Sequence, residues 1–253
     1  MAALSGKHAL VTGGSRGIGA SIAAALLGHG ARVTLLARNA EELRMTASRL
    51  SVSGEIAFVV ADVRMALQVK EALDQANKCF GPVAILINNA GHAESAPFLQ
   101  IDTASWQRML EVNLNGTFFC TQAVLPAMQQ DGWGRIVNVA SSAGIQAYPY
   151  VAAYCAAKHG VVGLTRALAL ELETMGSDVT VNAVCPGYTD TPMLRNALDA
   201  LAARTGRSKE TLCADFAAQN TSGRLLRPEE VAQKALEFCL PHAARFNGEI
   251  ASL

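Results

Sequence analysis

Four tyrosines in this sequence could donate a proton to a substrate, but only Tyr154 is followed by a lysine four residues later. Residues four apart share one face of an α-helix, so the Lys158 ammonium can lie near the Tyr154 phenol oxygen. A phenol has a pKa of ~10, and acting near neutral pH requires about 4 kcal/mol of preferential stabilisation of the phenolate, which a close cation can supply. The pair predicts proton exchange with an alcohol oxygen. The competing interpretation is a surface Tyr-x-x-x-Lys pair, which is common by chance.

Two further polar residues are candidates for the same reaction. Ser141 follows the predicted strand Arg135–Val139, which places its hydroxyl at the carboxyl edge of a sheet, where a carbonyl substrate would bind. A simple turn serine is the alternative. Asn113 lies inside a predicted helix although asparagine has poor helix propensity, which indicates either a polar task or a buried structural hydrogen bond.

A glycine-rich segment stands between the first predicted strand and the first predicted helix, and it reads Thr12-Gly-Gly-Ser-Arg-Gly-Ile-Gly19. Glycines allow a tight turn close to a pyrophosphate, and the N–H groups of the following helix stabilise its charge. This position at the start of a strand–turn–helix unit predicts a dinucleotide site rather than a plain turn. The predicted contacts from this segment are Gly13, Ser15, Arg16, Gly17, Ile18 and Gly19.

The end of the second predicted strand, Leu35-Leu-Ala-Arg38, bears on the choice of coenzyme. Enzymes that select NAD usually place an acidic residue there to bind the ribose hydroxyls and repel a 2′-phosphate. Ala37 offers no acid, and Arg38 follows where the phosphate would lie, with Arg16 as a second cation. We therefore expect NADP(H) to be preferred, with NAD(H) as the alternative if Arg38 points to solvent.

Short apolar runs alternate with Ala/Leu-rich stretches along the whole chain. The predicted strands are His8–Val11, Arg32–Leu36, Ile56–Val60, Ala84–Ile87, Arg135–Val139, Val179–Val184 and Glu249–Leu253. The predicted helices are Ile18–Gly28, Glu41–Ser51, Met65–Phe80, Ala104–Gln130, Val151–Thr174 and Glu229–Leu240. Strands that are apolar at nearly every position belong to parallel sheets covered on both faces. The pattern predicts an α/β fold, a Rossmann-type doubly wound parallel sheet, in a single domain spanning 1–253.

The stretch Thr189–Arg227 is longer than the other connections and is predicted to be a helical lid over the ligand. Pro192 can open a short helix with Leu194, Leu198 and Leu201 on one face. An ordinary helical insertion is the alternative.

Composition limits the class of partner. The chain is 51% hydrophobic and 17% charged, with 21 basic and 21 acidic residues and no long run of one sign. Neither a nucleic-acid surface nor a membrane patch is expected, and the partner should be a small molecule. The six cysteines have no C-x-x-C pair, which predicts reduced, buried thiols in a cytoplasmic protein and no metal site. The chain runs from Met1 straight into the first apolar run, so no signal peptide is expected.

Taken together, these motifs identify a resemblance to the short-chain dehydrogenase/reductase family over essentially the whole length. The matching segments are Thr12 to Gly19, Asp62-Val63, Asn88-Asn-Ala-Gly91, Asn113, Ser141, Tyr154-Cys-Ala-Ala-Lys158, and Pro186-Gly187 with Thr189 and Thr191. The chain departs from the family pattern at Cys155, where serine is common, and in lacking the usual Asp-Gly-Gly tail after the last strand.

The resemblance implies that Tyr154 is the acid–base, that Ser141 binds the substrate oxygen, and that Lys158 holds the nicotinamide ribose. Lys158 is also expected to lower the tyrosine pKa, helped by the positive nicotinamide of the oxidised cofactor. Asn113 is implied to hold a water joining Lys158 to solvent. The further implied cofactor contacts are Asp62 and Val63 at the adenine, Asn89, Ala90 and Gly91 on the adenosine side, and Pro186, Gly187, Thr189 and Thr191 at the nicotinamide.

Within the family, the sequence most resembles 3-oxoacyl thioester reductases and polyketide ketoreductases. The expected reaction is therefore reduction of a 3-oxoacyl thioester or bulky ketone. Oxidation of a secondary alcohol or 3-hydroxyacyl-CoA is the alternative, and a non-catalytic nucleotide sensor or scaffold is a remote one. Four basic residues of the expected lid could meet a coenzyme A phosphate, although interleaved acids favour solvated surface charge: Arg195, Arg204, Arg207 and Lys209. The family also implies a homo-oligomer, a tetramer, formed through Ala104–Gln130 and Val151–Thr174.

Overall fold

All seven predicted strands are present in the computed structural model, which describes residues 2–253, and they pair in parallel in one sheet ordered β3-β2-β1-β4-β5-β6-β7. They are β1 (His8–Thr12), β2 (Arg32–Ala37), β3 (Ile56–Val60), β4 (Ile85–Asn88), β5 (Gly134–Val139), β6 (Val179–Cys185) and β7 (Ile250–Ser252). Every residue of β1, β4, β5 and β6 is buried, which explains why these runs are mostly apolar. The doubly wound parallel sheet is confirmed.

Nine α-helices flank this sheet in the described part of the chain. They are α1 (Gly17–Gly28), α2 (Ala40–Leu50), α3 (Ala66–Phe80), α4 (Thr103–Leu110), α5 (Gly116–Gln130), α6 (Ala152–Thr174), α7 (Pro192–Thr205), α8 (Lys209–Ala218) and α9 (Pro228–Glu237). Successive residues of a strand face opposite sides, so Val11 packs into one apolar cluster with Ile22 of α1, and Leu10 packs into another with Leu73 of α3. The two clusters are the two faces of the sheet.

The predicted helical stretch Ala104–Gln130 is present, but it is not one regular α-helix. A π-helical turn at Glu111–Asn115 joins α4 to α5. Asn113, in this turn, donates from its side-chain amide to Met109 O of α4 and to His92 O in the loop after β4, and its Oδ1 accepts from His92 N. Just beyond the turn, a Cβ at Gly116 would lie 2.8 Å from Val63 Cγ2, so only glycine lets α5 pass this close to the loop after β3. The other predicted ends differ by one to three residues.

The stretch Thr189–Arg227 contains two helices rather than the one predicted. Thr191 caps α7 by accepting from Leu194 N, and Pro192 stands in the first turn as expected. The unpredicted α8 is capped by Ser208 and packs Leu212 against Leu198 of α7. Sequence missed α8 because its stability depends on this small apolar cluster, which forms only when the two helices meet.

The order of strands fixes where a ligand can bind. The chain leaves β1 towards β2 and β3 on one side and continues from β4 on the other, so the connections after β1 and β4 diverge and open a crevice at their carboxyl ends.

Two absences concern the described residues alone. No helix among residues 2–253 is long and apolar enough to cross a bilayer, and no cluster of potential metal ligands occurs there. All six cysteines are free thiols, but Cys79 is exposed, contrary to the expectation that the thiols are buried.

Candidate active site

A cavity of about 1030 Å³ lies at the carboxyl edge of the sheet, lined by residues that follow six of the seven strands. Its volume is at the upper end of the range for small-molecule sites, roughly 300–1,000 Å³. Most predicted site residues line it, namely Gly13, Ser15, Arg16, Gly17, Ile18, Arg38, Asp62, Val63, Asn89, Ala90, Gly91, Ser141, Tyr154, Lys158, Pro186, Gly187, Thr189 and Thr191. Two do not, Gly19 and Asn113, and both are buried behind its wall.

The glycine loop, residues 13–19, turns through positive φ at Gly13 (62°) and Gly17 (55°). Gly19 has a packing role, since a Cβ there would lie 2.4 Å from the Gly13 carbonyl oxygen. Helix α1 then begins at Gly17 with no side-chain cap and no acid in its first turn. Because Gly17 and Ile18 line the cavity, this uncapped helix N-terminus is suited to an anionic pyrophosphate.

Thr12, which the sequence analysis did not single out as a site residue, ties β1 to the turn after β4. Its hydroxyl accepts from the backbone N–H groups of Asn89 and Ala90, both at 3.0 Å, and donates to Ile87 O. In the opposite direction, the Asn89 side-chain amide donates to the carbonyl oxygens of Thr12 and Gly13. The glycine loop and the Asn89–Gly91 turn are therefore held as one unit.

Ser141, Tyr154 and Lys158 meet at the centre of the cavity. Helix α6 places Tyr154 and Lys158 one turn apart, and Lys158 Nζ lies 5.7 Å from the centroid of the Tyr154 ring. The Ser141 side chain stands beside Tyr154 on the cavity wall, and its oxygen accepts from Ala143 N at 3.1 Å. Lys158 Nζ donates to Val139 O at 2.9 Å, which anchors this buried ammonium at the end of β5.

In the protein without coenzyme, the pKa of Tyr154 lies above its ordinary value, whereas the expected lowering also relies on the positive nicotinamide of the oxidised coenzyme. Burial raises the pKa to about 12, although the nearby Ser141 hydroxyl acts in the other direction. Burial also lowers the pKa of Lys158 to about 8. Desolvation disfavours both charged forms, and an ammonium that donates to Val139 O does not by itself outweigh it at the phenol.

Asn113 is fully buried in the π-helical turn and acts through its neighbours. Its Oδ1 accepts from His92 N at 3.2 Å, and its Nδ2 donates to His92 O and Met109 O. A Cβ at Gly91 would lie 3.0 Å from Asn113 Oδ1 and 3.7 Å from Lys158 Nζ. The turn after β4 thus passes close to both Asn113 and Lys158, and a side chain at position 91 would press on the Asn113 amide.

The nucleotide end of the cavity carries two arginine–carboxylate pairs that sequence analysis missed. Arg64 binds the Asp62 carboxylate through Nε and Nη2, and these hydrogen bonds hold the pKa of Asp62 below its usual range. Glu42 accepts from Ser15 Oγ and from Arg16 Nη1. Arg38 also lines this end, is exposed, and has no ion pair within residues 2–253.

The opposite end of the cavity is mostly apolar and aromatic. Tyr188 stacks on Phe216 with centroids 4.5 Å apart and planes 2° from parallel, and Tyr148 meets Tyr188 edge-on. Further wall residues there are Val151, Met193, Leu194, Ala197 and Leu201. These residues come from elements distant in sequence, so no local pattern marks them as neighbours.

His92, which directly follows the Asn89–Gly91 turn, also stands on the cavity wall. Its Nε2 lies 2.8 Å from Glu94 Oε1, and Arg108 binds the same carboxylate. The Glu94 carboxylate therefore contacts both His92 and Arg108 at this edge of the cavity.

Comparison with known proteins places this geometry in a family. The family model for short chain dehydrogenases matches residues 7–202. The chain is a member of the short-chain dehydrogenase/reductase family. It is 39% identical to a protein of Streptomyces coelicolor named as a ketoacyl reductase, over 96% of this chain and 94% of that protein. It is 35% identical to a D-beta-hydroxybutyrate dehydrogenase of Cupriavidus necator, over 96% and 93%.

A solved structure of actinorhodin polyketide ketoreductase with NADPH superposes with a TM-score of 0.93. The two sequences are 37% identical, and the match covers 98% of this chain and 95% of that one. This short-chain dehydrogenase/reductase is therefore an oxidoreductase, as the sequence predicted.

Burial of the Tyr154 phenol yields a prediction for the enzyme without coenzyme. A pKa raised to about 12 means that the neutral phenol persists well above pH 10, where an exposed tyrosine ionises. The difference in absorbance at 295 nm between wild type and Tyr154→Phe should therefore show no phenolate at pH 10. A phenolate signal from Tyr154 by pH 9 would contradict the dominance of desolvation.

Proposed function

We propose that this protein is an NADP(H)-preferring ketoreductase that converts a bulky ketone, such as a 3-oxoacyl thioester, to a secondary alcohol. The observation that carries the proposal is the meeting of Ser141, Tyr154 and Lys158 at the centre of one cavity with a nucleotide-binding end and an apolar end. The named ketoacyl reductase and the polyketide ketoreductase solved with NADPH support it.

Coenzyme binding is assigned to the glycine loop, to Asp62 and Val63, to the Asn89–Gly91 turn, and to the 186–191 segment. The uncapped α1 and the open cradle of Gly13 and Gly17 fit a pyrophosphate. When bound, NADPH supplies the hydride that reduces the carbonyl carbon. The protein must then deliver a proton to the oxygen.

Tyr154 donates that proton, and Ser141 orients the oxygen that receives it. The Ser141 oxygen already accepts from Ala143 N, so its own hydrogen is directed towards another acceptor. Lys158 uses one of its three hydrogens on Val139 O and keeps two for the coenzyme ribose and for the phenol side. Its pKa of about 8 allows proton exchange near neutral pH.

Asn113 is assigned a positioning role beside Lys158. Both of its amide hydrogens are used on His92 O and Met109 O. A water linking Lys158 to solvent, as the family implies, would therefore have to donate to an Asn113 oxygen.

The substrate end argues against a small carboxylate such as hydroxybutyrate. The wall residues named for that end carry no cationic side chain: Tyr148, Val151, Tyr188, Met193, Leu194, Ala197, Leu201 and Phe216. Binding a carboxylate there without a charged partner would cost free energy, whereas the stacked Tyr188 and Phe216 favour a large apolar group.

The Thr189–Arg227 stretch is assigned the role of lid. Asn220 fixes its base, since the side chain accepts from Tyr188 N and donates to Tyr188 O and Arg224 O. Arg204 of α7 reaches across to Ser95 O at 3.3 Å. Three lid cations bind lid carboxylates, which favours surface charge over a coenzyme A phosphate site: Arg195 with Asp190, Arg207 with Asp215, and Lys209 with Asp199.

A homotetramer formed through α4, α5 and α6 remains part of the proposal. Large apolar residues are exposed on these helices, including Trp106, Phe118 and Leu170. Contiguous exposed apolar surface commonly marks an interface.

Replacing the proton donor should stop turnover and spare coenzyme binding. Tyr154→Phe is expected to lower kcat by about 10²- to 10⁴-fold with the Kd for NADPH nearly unchanged, since only proton transfer is lost. Lys158→Ala should damage both. Tyr150→Phe, which removes an exposed phenol four residues away, is the control and should retain activity. More than a tenth of wild-type kcat in Tyr154→Phe would refute the assignment.

Coenzyme preference should follow Arg38. Wild type is expected to have at least a roughly tenfold higher kcat/KM with NADPH than with NADH, because a charge-assisted hydrogen bond contributes about 1.5–3 kcal/mol. The Ala37→Asp, Arg38→Ala double variant should move the ratio towards NADH. A wild type that prefers NADH, or a double variant with an unmoved ratio, would instead favour the oxidative alternative.

The aromatic wall should select substrates by size. We expect wild-type kcat/KM for a long-chain 3-oxoacyl thioester to exceed that for acetoacetate by about tenfold or more, through added apolar burial. Phe216→Ala should lower the value for the thioester far more than the value for acetoacetate, which serves as the internal control. Equal loss on both substrates would show that Phe216 does not contact the substrate.

A further inference from the structure

The carboxylate of Glu42 bonds to the glycine loop at two points. Its Oε2 accepts from Ser15 Oγ at 3.0 Å, and its Oε1 accepts from Arg16 Nη1 at 3.2 Å. The side chains of Arg16 and Glu42 are 55% and 36% exposed, so the pair lies at the cavity wall and not in the core.

Helix α2 holds this carboxylate in place. Asn39 caps the helix by accepting from the backbone N–H groups of Glu41 and Glu42. One turn later, Thr46 Oγ1 donates to Ser15 O at 2.6 Å. Because the helix is bonded to the loop on this face, Glu42 is directed at Ser15 and Arg16.

The two arginines at the nucleotide end are therefore in different states. Arg16 is bound by a carboxylate, whereas Arg38 has no acidic partner within residues 2–253 and exerts its charge on Asp62. A hydroxyl and a guanidinium together form a donor set that suits a phosphate group. The Glu42 carboxylate already occupies that donor set, so a phosphate must compete with it.

We propose that Glu42 is a coenzyme-specificity residue, which withholds Ser15 and Arg16 from the 2′-phosphate of NADP(H) and leaves Arg38 as its main cation. The inference rests on the proposed preference for NADP(H). It also means that Arg16, expected from the sequence to be a second cation for the 2′-phosphate, is held by Glu42 instead. Removing the Glu42 charge should strengthen binding of a nucleotide with a 2′-phosphate and leave binding of one without it nearly unchanged.

Calorimetric titration of the full-length protein with adenosine 2′,5′-bisphosphate and with 5′-AMP tests this directly, since the ligands differ only in the 2′-phosphate. Glu42→Gln keeps an acceptor for Ser15 and loses the charge. This variant is expected to lower the Kd of the bisphosphate by about three- to tenfold and the Kd of 5′-AMP by less than about twofold. The gain should shrink in 1 M NaCl, where exposed charges are screened.

Glu41→Gln is the matched control. Glu41 is in the same helical turn and loses the same charge, but its carboxylate is bound by Arg44 rather than by the glycine loop. It should change the ratio of the two affinities by less than about twofold. Glu42→Ala should shift the ratio in the same direction as Glu42→Gln.

A double-mutant cycle identifies the partner. Arg16→Gln alone should alter bisphosphate affinity by less than about twofold, because Glu42 already engages Arg16. In the Glu42→Gln background, Arg16→Gln should remove most of the gain.

Three results would overturn the inference: equal tightening by Glu41→Gln and Glu42→Gln, equal tightening of both ligands, or a gain that survives the loss of Arg16. The preference for NADP(H) is tested separately by Arg38→Ala. If that change weakens the bisphosphate relative to 5′-AMP while Glu42→Gln has no effect, the proposed function stands and the role of Glu42 falls. If Arg38→Ala has no effect while Glu42→Gln tightens binding of the bisphosphate, the withholding role of Glu42 stands. The assignment of Arg38, and with it the argument for a preference for NADP(H), then falls.

Discussion

A buried ammonium is the constraint around which this site is organised. Lys158 must remain close to Tyr154, yet burial penalises its charge and lowers its pKa to about 8. The protein compensates with the Val139 carbonyl at the end of β5. Keeping that ammonium in place requires α6, the carboxyl end of β5 and the turn after β4 to meet within a few ångströms, so the catalytic geometry depends on the sheet being correctly assembled.

Close backbone approach is the means by which these elements meet. Glycine occupies the points where a side chain would collide: Gly91 beside Asn113 and Lys158, Gly19 against the Gly13 carbonyl, and Gly116 against Val63. None of these three contacts requires an unusual φ. Each glycine therefore contributes by its missing Cβ, which lets a helix or turn approach the loop beside it.

The cavity separates charge from apolar surface along its length. Arginines and carboxylates stand at the nucleotide end, and Tyr188, Phe216 and their apolar neighbours form the other end. In the proposed function, this division suits a charged coenzyme at one end and a largely apolar substrate at the other, with Tyr154 between them. Burial keeps the Tyr154 phenol neutral in the protein without coenzyme.

The sequence alone determined the parallel sheet, the glycine loop, and the Tyr154–Lys158 pair, because periodicity and i,i+4 spacing are local properties that survive without contacts. It did not reveal α8, the π-helical turn at Asn113, or the pairing of Glu42 with Arg16. Nor did it reveal that burial raises the phenol pKa in the protein without coenzyme, since spacing reports that a cation is near but not how much water is excluded. Those features depend on residues distant in sequence coming together, and on the desolvation that follows, so only the tertiary structure decided them.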